Sequence, residues 1–325
     1  DLFVEGGTTL TFGADLTVRG GGALIGAVFT VGGNSSVINL GTIVADQAGK
    51  PLRIDAGGAG TFTNEGLVQV SGGTLTLSGS WDNDGTLDLT DGTLNLDGTL
   101  TLDDLGTLNR IGGTVNLIGV LDNSGTTLRL DATTGSWVID GGRINNGVIE
   151  LVDSSTLIVT SNSNNRLSGV TLDADLDLTA TSARLRLGNG VTINGTVTVS
   201  GSNAALASET TQTLAGSGTI LFDGSSGSER DLFVEGGTTL TLGADQTVRH
   251  VDAVGRLESL ETVLQHHVER VGLKRDVVRA VPVDRVFALW VADEIRVLRA
   301  PSRRLGGGPG RERAARGGYR LSVFD

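Results

Sequence analysis

Three aspartates at alternating positions, Asp173, Asp175 and Asp177, are the residues best placed to do chemistry. They are interleaved with apolar residues in the segment LDADLDL, so in a strand the three carboxylates would share one face. Such a face on a stacked β-sheet can bind calcium or supply the acid and base of polysaccharide cleavage. A lyase or hydrolase would also need a basic partner nearby, and Arg184 and Arg186 follow only about half a predicted turn later. We therefore expect a solvated outer face here, assign no catalytic residue, and keep a carbohydrate-active enzyme as the alternative.

Metal and cofactor chemistry has little support elsewhere. The Gly-Gly pairs are never followed by the full calcium-binding nonapeptide pattern Gly-Gly-x-Gly-x-Asp. Adventitious calcium at the acidic turns Asp82–Asp84 and Asp103–Asp104 stays open, because carboxylates are hard ligands. We predict no dedicated metal site and no cofactor.

Composition narrows the function classes further. The 325 residues include no Cys, so a thiolate metal site, a disulfide scaffold and a thiol nucleophile are excluded, and three His make a multi-His centre improbable. The net charge of −12 argues against nucleic acid as the main partner. No apolar run reaches the roughly 18 residues of a membrane span. The chain opens without a charged-then-apolar leader, so any export signal is expected outside these residues.

Thr-x-Thr pairs raise the separate question of ice binding. They occur at Thr9/Thr11, Thr74/Thr76, Thr99/Thr101 and Thr196/Thr198. A regular array requires the pairs to share one position in successive turns, and relative to the nearby glycines they do not. Ice binding is therefore the least favoured alternative.

The elements that position these residues are predicted to be short strands. Between Thr86 and Leu102 apolar residues alternate with polar ones, which indicates strands with one buried face and excludes a helical period. Gly92 and Gly98 divide this stretch into short pieces, which gives about three strands in each predicted turn. The leucines expected on the buried face are Leu87, Leu89, Leu94, Leu96, Leu100 and Leu102.

Glycine spacing indicates how these strands stack. Glycines in turn-like Asn-x-Gly elements or their altered forms recur at nearly even intervals, at positions 66, 85, 106, 125, 147, 169 and 190, with looser neighbours at Gly41 and Gly218. One such turn cannot bury its aliphatic face alone, whereas stacked turns form a continuous core. We predict an all-β fold, a right-handed parallel β-helix (β-solenoid) of eleven or twelve turns over residues 1–249. Asparagines near the turns should hydrogen-bond from turn to turn.

A long repeat encloses the short one. Residues 1–20 (DLFVEGGTTLTFGADLTVRG) match residues 231–250 (DLFVEGGTTLTLGADQTVRH) at 17 of 20 positions. We expect the chain to be a piece of a longer, tandemly repeated protein, with neighbouring repeats as its partners.

The character of the sequence changes near His250. Residues 1–249 hold 11 Lys and Arg against 27 Asp and Glu, whereas residues 250–325 hold 14 against 10. Apolar spacing predicts an amphipathic helix over 253–271, and the basic, Gly-rich stretch 299–318 predicts disorder. This Arg-rich tail has three interpretations: a small cap over the solenoid end, an attachment segment using Arg303, Arg304, Arg311, Arg313 and Arg316, or a non-native, frame-shifted sequence.

Segments such as GTLTLSGSWDNDGTLDLTDGTLNLDGTLTL and DNSGTTLRL resemble the β-strand repeats of large bacterial surface proteins. These include autotransporter passengers and filamentous-haemagglutinin-like adhesins, and the resemblance covers about residues 1–249. It implies a pectin-lyase-like β-helix at the bacterial surface or outside the cell. We expect an elongated structural or adhesive segment, without enzyme activity, that makes weak multivalent contacts with carbohydrate or cell-surface ligands. A passive spacer remains an alternative.

Overall fold

The computed structural model describes residues 1–27, 34–223 and 230–251, together with four short strands at 257–259, 279–283, 286–290 and 320–323. The chain divides into two compact units, Asp1–Ile158 and Val159–Asp325. Each unit contains parallel β-solenoid, with about ten turns in all. The predicted all-β parallel solenoid is thereby confirmed, with fewer turns than expected.

The first unit consists of short strands and one short helix. Its elements are β1 (Leu2–Val4), β2 (Thr9–Phe12), β3 (Thr17–Gly20), β4 (Ala23–Ala27), β5 (Ser36–Asn39), β6 (Thr42–Ala45), β7 (Pro51–Asp55), β8 (Thr61–Asn64), β9 (Leu67–Ser78), β10 (Ser80–Asn83), β11 (Thr86–Leu96), β12 (Thr99–Leu100), α1 (Leu102–Leu105), β13 (Thr107–Arg110), β14 (Thr114–Leu117), β15 (Val120–Asp122), β16 (Thr127–Leu130), β17 (Trp137–Ile139), β18 (Arg143–Asn145), β19 (Val148–Leu151) and β20 (Leu157–Val159), the last of which ends just past the unit.

Each turn of this unit has three strand positions, which successive turns repeat in parallel. The first position stacks β2, β5, β8 and β10; the second stacks β3, β6, β9, β11 and β13; the third stacks β4, β7, β9, β11, β14 and β17. Strands β9 and β11 each run through the second and third positions. Leu67 of β9 pairs with Thr86 of β11, and that step equals the step between the glycines at 66 and 85. The predicted period and the three strands per turn are both confirmed here.

Strand β11 is continuous where the sequence suggested a break. Its pairing with β9 shifts register around Asp91 and Gly92, and Gly92 has a φ of +89°. The glycine therefore makes a bulged corner within one strand, because a bulge bends a strand without ending it.

The predicted buried face is confirmed with one exception. Five of its leucines, from Leu87 to Leu100, are at most 2% exposed. Leu102 is the exception, because it is half-buried and is the first residue of α1. Thr101 and Asp104 cap the N-terminus of this helix with a reciprocal capping box. Leu105 takes the buried position instead. Among the described residues no helix is long and apolar enough to cross a bilayer.

Longer turns explain the lower turn count. Thr9 pairs with Ser36, and Ala23 pairs with Leu52. In the second unit Gln212 pairs with Leu240. Each of these steps along the chain is longer than any interval between the glycines of the regular middle stretch, so a count based on those intervals came out too high.

The second unit contains the remaining described strands. They are β21 (Arg166–Ser168), β22 (Thr171–Leu172), β23 (Leu176–Asp177), β24 (Arg184–Gly188), β25 (Thr192–Ile193), β26 (Thr196–Val199), β27 (Ala205–Ser208), β28 (Gln212–Leu214), β29 (Thr219–Asp223), β30 (Asp231–Val234), β31 (Leu240–Leu242), β32 (Thr247–Val251), β33 (Leu257–Ser259), β34 (Arg279–Val283), β35 (Val286–Trp290) and β36 (Arg320–Val323).

Parallel stacking continues in this unit through β21–β24–β27–β30, β23–β26–β29–β32 and the pairs β22–β25 and β28–β31. One glycine differs from the sequence interpretation: Gly218 lies over Gly195, because Thr219 pairs with Thr196, and does not continue the Gly190 position. At the end of the stack β33 pairs antiparallel with β32, and β36 pairs parallel with β30.

Most of the predicted tail lies outside the described residues, including the basic stretch 299–318 and most of the expected helix 253–271. The described part of that segment, Leu257–Ser259, forms a strand and not a helical turn. The predicted boundary near residue 250, and the native or non-native status of the tail, stay predictions.

Three buried asparagines form the predicted amide ladder. The Asn39 side-chain amide donates to Asn64 Oδ1 at 2.7 Å, and that of Asn64 donates to Asn83 Oδ1 at 2.6 Å. The Asn83 amide then donates to the carbonyl of Leu105 at 2.9 Å. All three asparagines are at most 3% exposed, so each satisfies a polar group that water cannot reach.

Candidate functional site

Asp173, Asp175 and Asp177 lie on one exposed face, as their alternation predicts. The residues between them, Ala174 and Leu176, are buried in the core. Asp173 follows β22 directly, and Asp177 ends β23. Leu172 and Leu176 anchor these two strands, which fixes the outward direction of the carboxylates.

Each of these carboxylates accepts a hydrogen bond from the following turn. Asp173 accepts one from the Asn194 side-chain amide. Asp175 accepts one from the backbone N–H of Thr196 at 2.6 Å.

The third aspartate follows the same rule. Asp177 accepts a hydrogen bond from the Ser200 hydroxyl at 2.5 Å. Charged acceptors make the stronger hydrogen bonds, so the three aspartates connect residues 173–177 to the following turn. This gives the carboxylates a structural role before any ligand is considered.

A small open depression lies beside the first two aspartates. It is lined by Asp173, Ala174, Asp175, Asn194 and Gly195. A side chain at Gly195 would collide with the Ala174 carbonyl, since a Cβ there would lie 2.1 Å from that oxygen. The depression therefore offers carboxylate and amide oxygens around a position where the backbone is bare.

Arg184 and Arg186 make their ion pairs with Glu235, and not with the aspartates. Arg186 donates from Nε to Glu235 Oε2 at 2.8 Å, and Arg184 donates to the other oxygen. The Arg184 guanidinium also lies 5.0 Å from the centre of the Phe233 ring. Burial acts to raise the pKa of Glu235, but the hydrogen bonds and positive charges of the two arginines hold it below its usual value. The basic partner that a lyase would need beside the aspartates is thus engaged elsewhere.

The acidic turns predicted to attract calcium are brought together in part. Burial, followed by the negative charges of Asp84 and Asp104, raises the pKa of Asp82. The Asp104 carboxylate is already used in the α1 capping box, where the Thr101 backbone N–H donates to it at 2.6 Å. In the described part of the chain no group of three or more His, Cys, Asp or Glu is arranged to hold a metal ion. Adventitious calcium binding stays a prediction.

Arg110 is an ordered cation that the sequence did not single out. Its guanidinium donates to four backbone carbonyls, of Gly112, Gly113, Thr134 and Ser136, at 2.7 to 3.2 Å. Burial lowers the pKa of Arg110. The Arg110 side chain thereby connects loops of two successive turns. Its only sequence signal is a cation at the end of a strand, two residues before a Gly-Gly pair.

On its outer face, the third-position sheet of the first unit carries two columns of half-buried polar residues. They are Thr74, Thr93 and Thr114 in one column, and Thr76, Asn95 and Asn116 in the other. The Asn116 amide donates to Asn95 Oδ1 at 3.0 Å, and the Asn95 amide donates to Thr76 Oγ1 at 3.1 Å. Hydroxyl and amide groups are therefore held at a spacing of one turn, about 4.8 Å.

Of the Thr-x-Thr pairs, Thr74/Thr76 belongs to these two columns and the other three pairs have different register partners. Thr9 pairs with Ser36, Thr99 with Val120, and Thr196 with Thr219. Across the described turns no such pair lies directly over another, so these pairs form no array between adjacent turns.

No family model, curated protein or solved structure matches the chain. The candidate sites are therefore described by their geometry alone.

Proposed function

We propose that the chain is a structural and adhesive segment of a large exported bacterial surface protein. Its ordered polar face would contact carbohydrate or other cell-surface ligands through many weak interactions, and the protein would act outside the cell or on its outer surface. The observation that carries the proposal is the pair of polar columns on β9, β11 and β14, in which Thr and Asn repeat in register.

Two further features support this function. Hydroxyl and amide groups at a fixed spacing can hydrogen-bond repeating sugar hydroxyls, and each contact is weak, so affinity grows with the number of contacts. The candidate carboxylates are already hydrogen-bonded to the next turn, which suits a scaffold better than a proton-transfer site. The resemblance to surface-protein repeats points to the same class.

Binding to arrayed glycans and to whole cells tests the proposal. The chain is presented singly in solution and multiply on beads, and we expect binding to be retained on beads and lost in solution. Replacing Asn95 and Asn116 together by Ala should weaken the bead-bound signal severalfold. Asn109→Ala is the control, since the Asn109 amide makes a bond of the same length to the neighbouring turn, to Asp88 Oδ1 at 3.0 Å, on the second-position sheet. Equal losses from both changes would contradict the assignment of this face.

The open depression beside Asp173 and Asp175 favours one second candidate, a polysaccharide lyase or hydrolase. Release of reducing ends or unsaturated products from acidic and neutral polysaccharides is measured for the native chain and for Asp173→Asn, Asp175→Asn and Asp177→Asn. Asparagine keeps an acceptor oxygen for the bonds to the next turn, so the fold should persist. If the native chain cleaves a polysaccharide and these substitutions abolish the cleavage, the enzyme replaces the adhesive segment as the proposed function. If the chain shows no binding and no turnover, the passive spacer is the function that remains.

A further inference from the structure

Three Asn-Gly steps lie at exposed asparagines between consecutive strands, at Asn146, Asn189 and Asn194. A glycine has no Cβ to shield its backbone nitrogen or to restrict its backbone. That nitrogen can attack the amide carbon of the preceding asparagine side chain, which closes a cyclic succinimide and releases ammonia. The reaction requires the two groups to meet, so the contacts of each step in the fold decide which of them reacts.

Asn146 and Asn189 are closely matched in conformation and in the contact of the side chain. Their φ angles are +60° and +58°. The Asn146 amide donates to Ser124 Oγ at 2.9 Å, and the Asn189 amide donates to Ser168 Oγ at 2.7 Å. Each side chain must leave its serine before it can react, so this requirement does not distinguish the two sites.

The attacking nitrogen is held in place at the second of these sites. The Gly190 N–H donates to Gln212 Oε1 at 3.0 Å, and Gln212 is itself buried. The backbone N–H of Asn189 also donates, to Thr210 Oγ1 at 3.0 Å. Attack at Asn189 therefore requires further hydrogen bonds to open besides the one to the serine.

The corresponding nitrogens at the first site have no such contacts. Within the part of the chain that the structure describes, the backbone N–H groups of Asn146 and Gly147 donate to no acceptor. Only the bond to Ser124 restrains the reacting groups. The Gly147 nitrogen is therefore the more available nucleophile.

Asn194 is restrained through its side chain. Its amide donates to Asp173 Oδ1, and a bond to a carboxylate is stronger than a bond to a hydroxyl. Its backbone N–H donates to the Leu172 carbonyl at 3.0 Å. The negative charge of Asp173 also opposes the loss of a proton from Gly195, because a second negative charge would form close by.

We propose that Asn146 is a site of spontaneous deamidation through the Gly147 nitrogen, and that the contacts of Asn189 and Asn194 protect them. A bond forms between the Gly147 nitrogen and Asn146 Cγ, and the bond from Cγ to Nδ2 breaks. Nδ2 leaves as ammonia with the proton from Gly147. Water then adds to one of the two ring carbonyls and opens the ring, which leaves aspartate or isoaspartate at position 146.

The product would weaken one connection between successive turns. The Ser124 hydroxyl already donates its hydrogen to Asp122 Oδ1 at 2.6 Å. A hydroxyl has only one hydrogen to donate, so a carboxylate at position 146 gains no bond from Ser124 while that bond persists. It also brings a second negative charge close to Asp122. This modification does not depend on the ligand of the proposed function.

Peptide mapping by mass spectrometry compares the three sites within one molecule. The folded chain is incubated at mildly alkaline pH, and conversion of each Asn-Gly step is followed over time. We expect Asn146 to convert about tenfold faster than Asn189 or Asn194, because fewer or weaker hydrogen bonds must open there. In urea the unfolded chain should convert all three at similar rates. Equal rates in the folded chain, or the same order of rates in the unfolded chain, would overturn the proposal.

Two serine variants test the role of the glycine nitrogen. Ser124→Ala frees the Asn146 side chain and should raise its conversion rate severalfold. Ser168→Ala is the matched control, since it removes the same kind of bond from Asn189 but leaves Gly190 bonded to Gln212. Circular dichroism checks that both variants are folded. Equal acceleration of the two sites, or an Asn146 that stays unmodified in the native chain and in Ser124→Ala, would overturn the proposal.

Discussion

Asn64 illustrates what single polar residues do in this molecule. Its side chain accepts a hydrogen bond from Asn39 and donates one to Asn83, with none of its surface exposed. The exposed aspartates 173, 175 and 177 make the same kind of connection between turns on an outer face. Residue types that suggested chemistry in the sequence thus hold neighbouring turns together.

Replacing Asn64 by Ala should lower the free energy of unfolding by about 2–4 kcal/mol. The change removes two buried bonds and leaves an amide of Asn39 and an oxygen of Asn83 without this partner. Urea unfolding followed by circular dichroism measures the loss.

Asn39→Ala is the matched control at the ladder end. Its Oδ1 atom has no hydrogen-bond partner in the native fold, so only one ladder bond is lost and the cost should be smaller. Equal losses at the two sites would show that the ladder is not the stabilising unit.

Glu235 gives the molecule a testable response to acid. Because Arg184 and Arg186 lower its pKa in the folded state, its contribution is fully present above the ordinary Glu value of 4.5. It is lost as the pH falls through the lower folded-state pKa. Glu235→Gln should therefore cost about 1–3 kcal/mol at pH 7 and much less at pH 3, as measured by urea unfolding at both values.

Asp82 serves as a control of opposite sign. Its folded-state pKa is raised, so its carboxylate opposes folding at neutral pH, and stability is regained as the pH falls through the raised value. Asp82→Asn should stabilise the chain slightly at pH 7 and have no effect at pH 3. If both substitutions changed stability with pH in the same direction, the electrostatic account would be wrong.

At the scale of the strand and turn, close backbone approach decides which glycines are required. A Cβ on Gly85 would lie 2.2 Å from the Gly66 carbonyl oxygen of the preceding turn. The recurring glycines were interpreted from sequence as turn formers. That holds for Gly125 and Gly190, which have positive φ and no atom within 4 Å of a Cβ, whereas Gly85 is required by the contact between turns.

Gly85→Ala should destabilise the fold by more than about 2 kcal/mol, because the two turns must separate to admit the methyl group. Gly13→Ala is the matched control: a Cβ there meets nothing within 4 Å and its φ is not positive. That change should be neutral or slightly stabilising. Thermal unfolding of both variants measures the contrast, and similar midpoints would contradict it.

The stacking could be predicted from the sequence because it depends on patterns that repeat. Alternation placed Leu87 and Leu94 correctly in the core, and the glycine period gave the register of β9 on β11. Helix α1 breaks the alternation, and only its capping signal, Thr101 followed by Asp104, could have revealed it. The carbonyl contacts of Arg110 reach Thr134 and Ser136 in another loop, and no local pattern encodes that pairing.

At the scale of the whole molecule, each turn of a solenoid contacts only its neighbours. Opening is therefore expected to spread from turn to turn instead of involving the entire chain at once. In hydrogen exchange, Gly85→Ala should speed exchange most in β9, β10 and β11, less in β5 and β6, and least in β1. If exchange were accelerated equally in all strands of the first unit, the unit would instead open as a single cooperative block.

The asparagine ladder has a direction. Every amide in it donates toward higher residue numbers, from Asn39 to Asn64 to Asn83 and on to the Leu105 carbonyl. The dipoles consequently add up, so the column is polarised, with an unbonded oxygen at one extremity and a bonded donor at the other. On the Asn39 side the register position is taken by Phe12 of the preceding turn. A phenyl ring carries no hydrogen-bond donor, so the column starts at Asn39 and its polarity runs one way only.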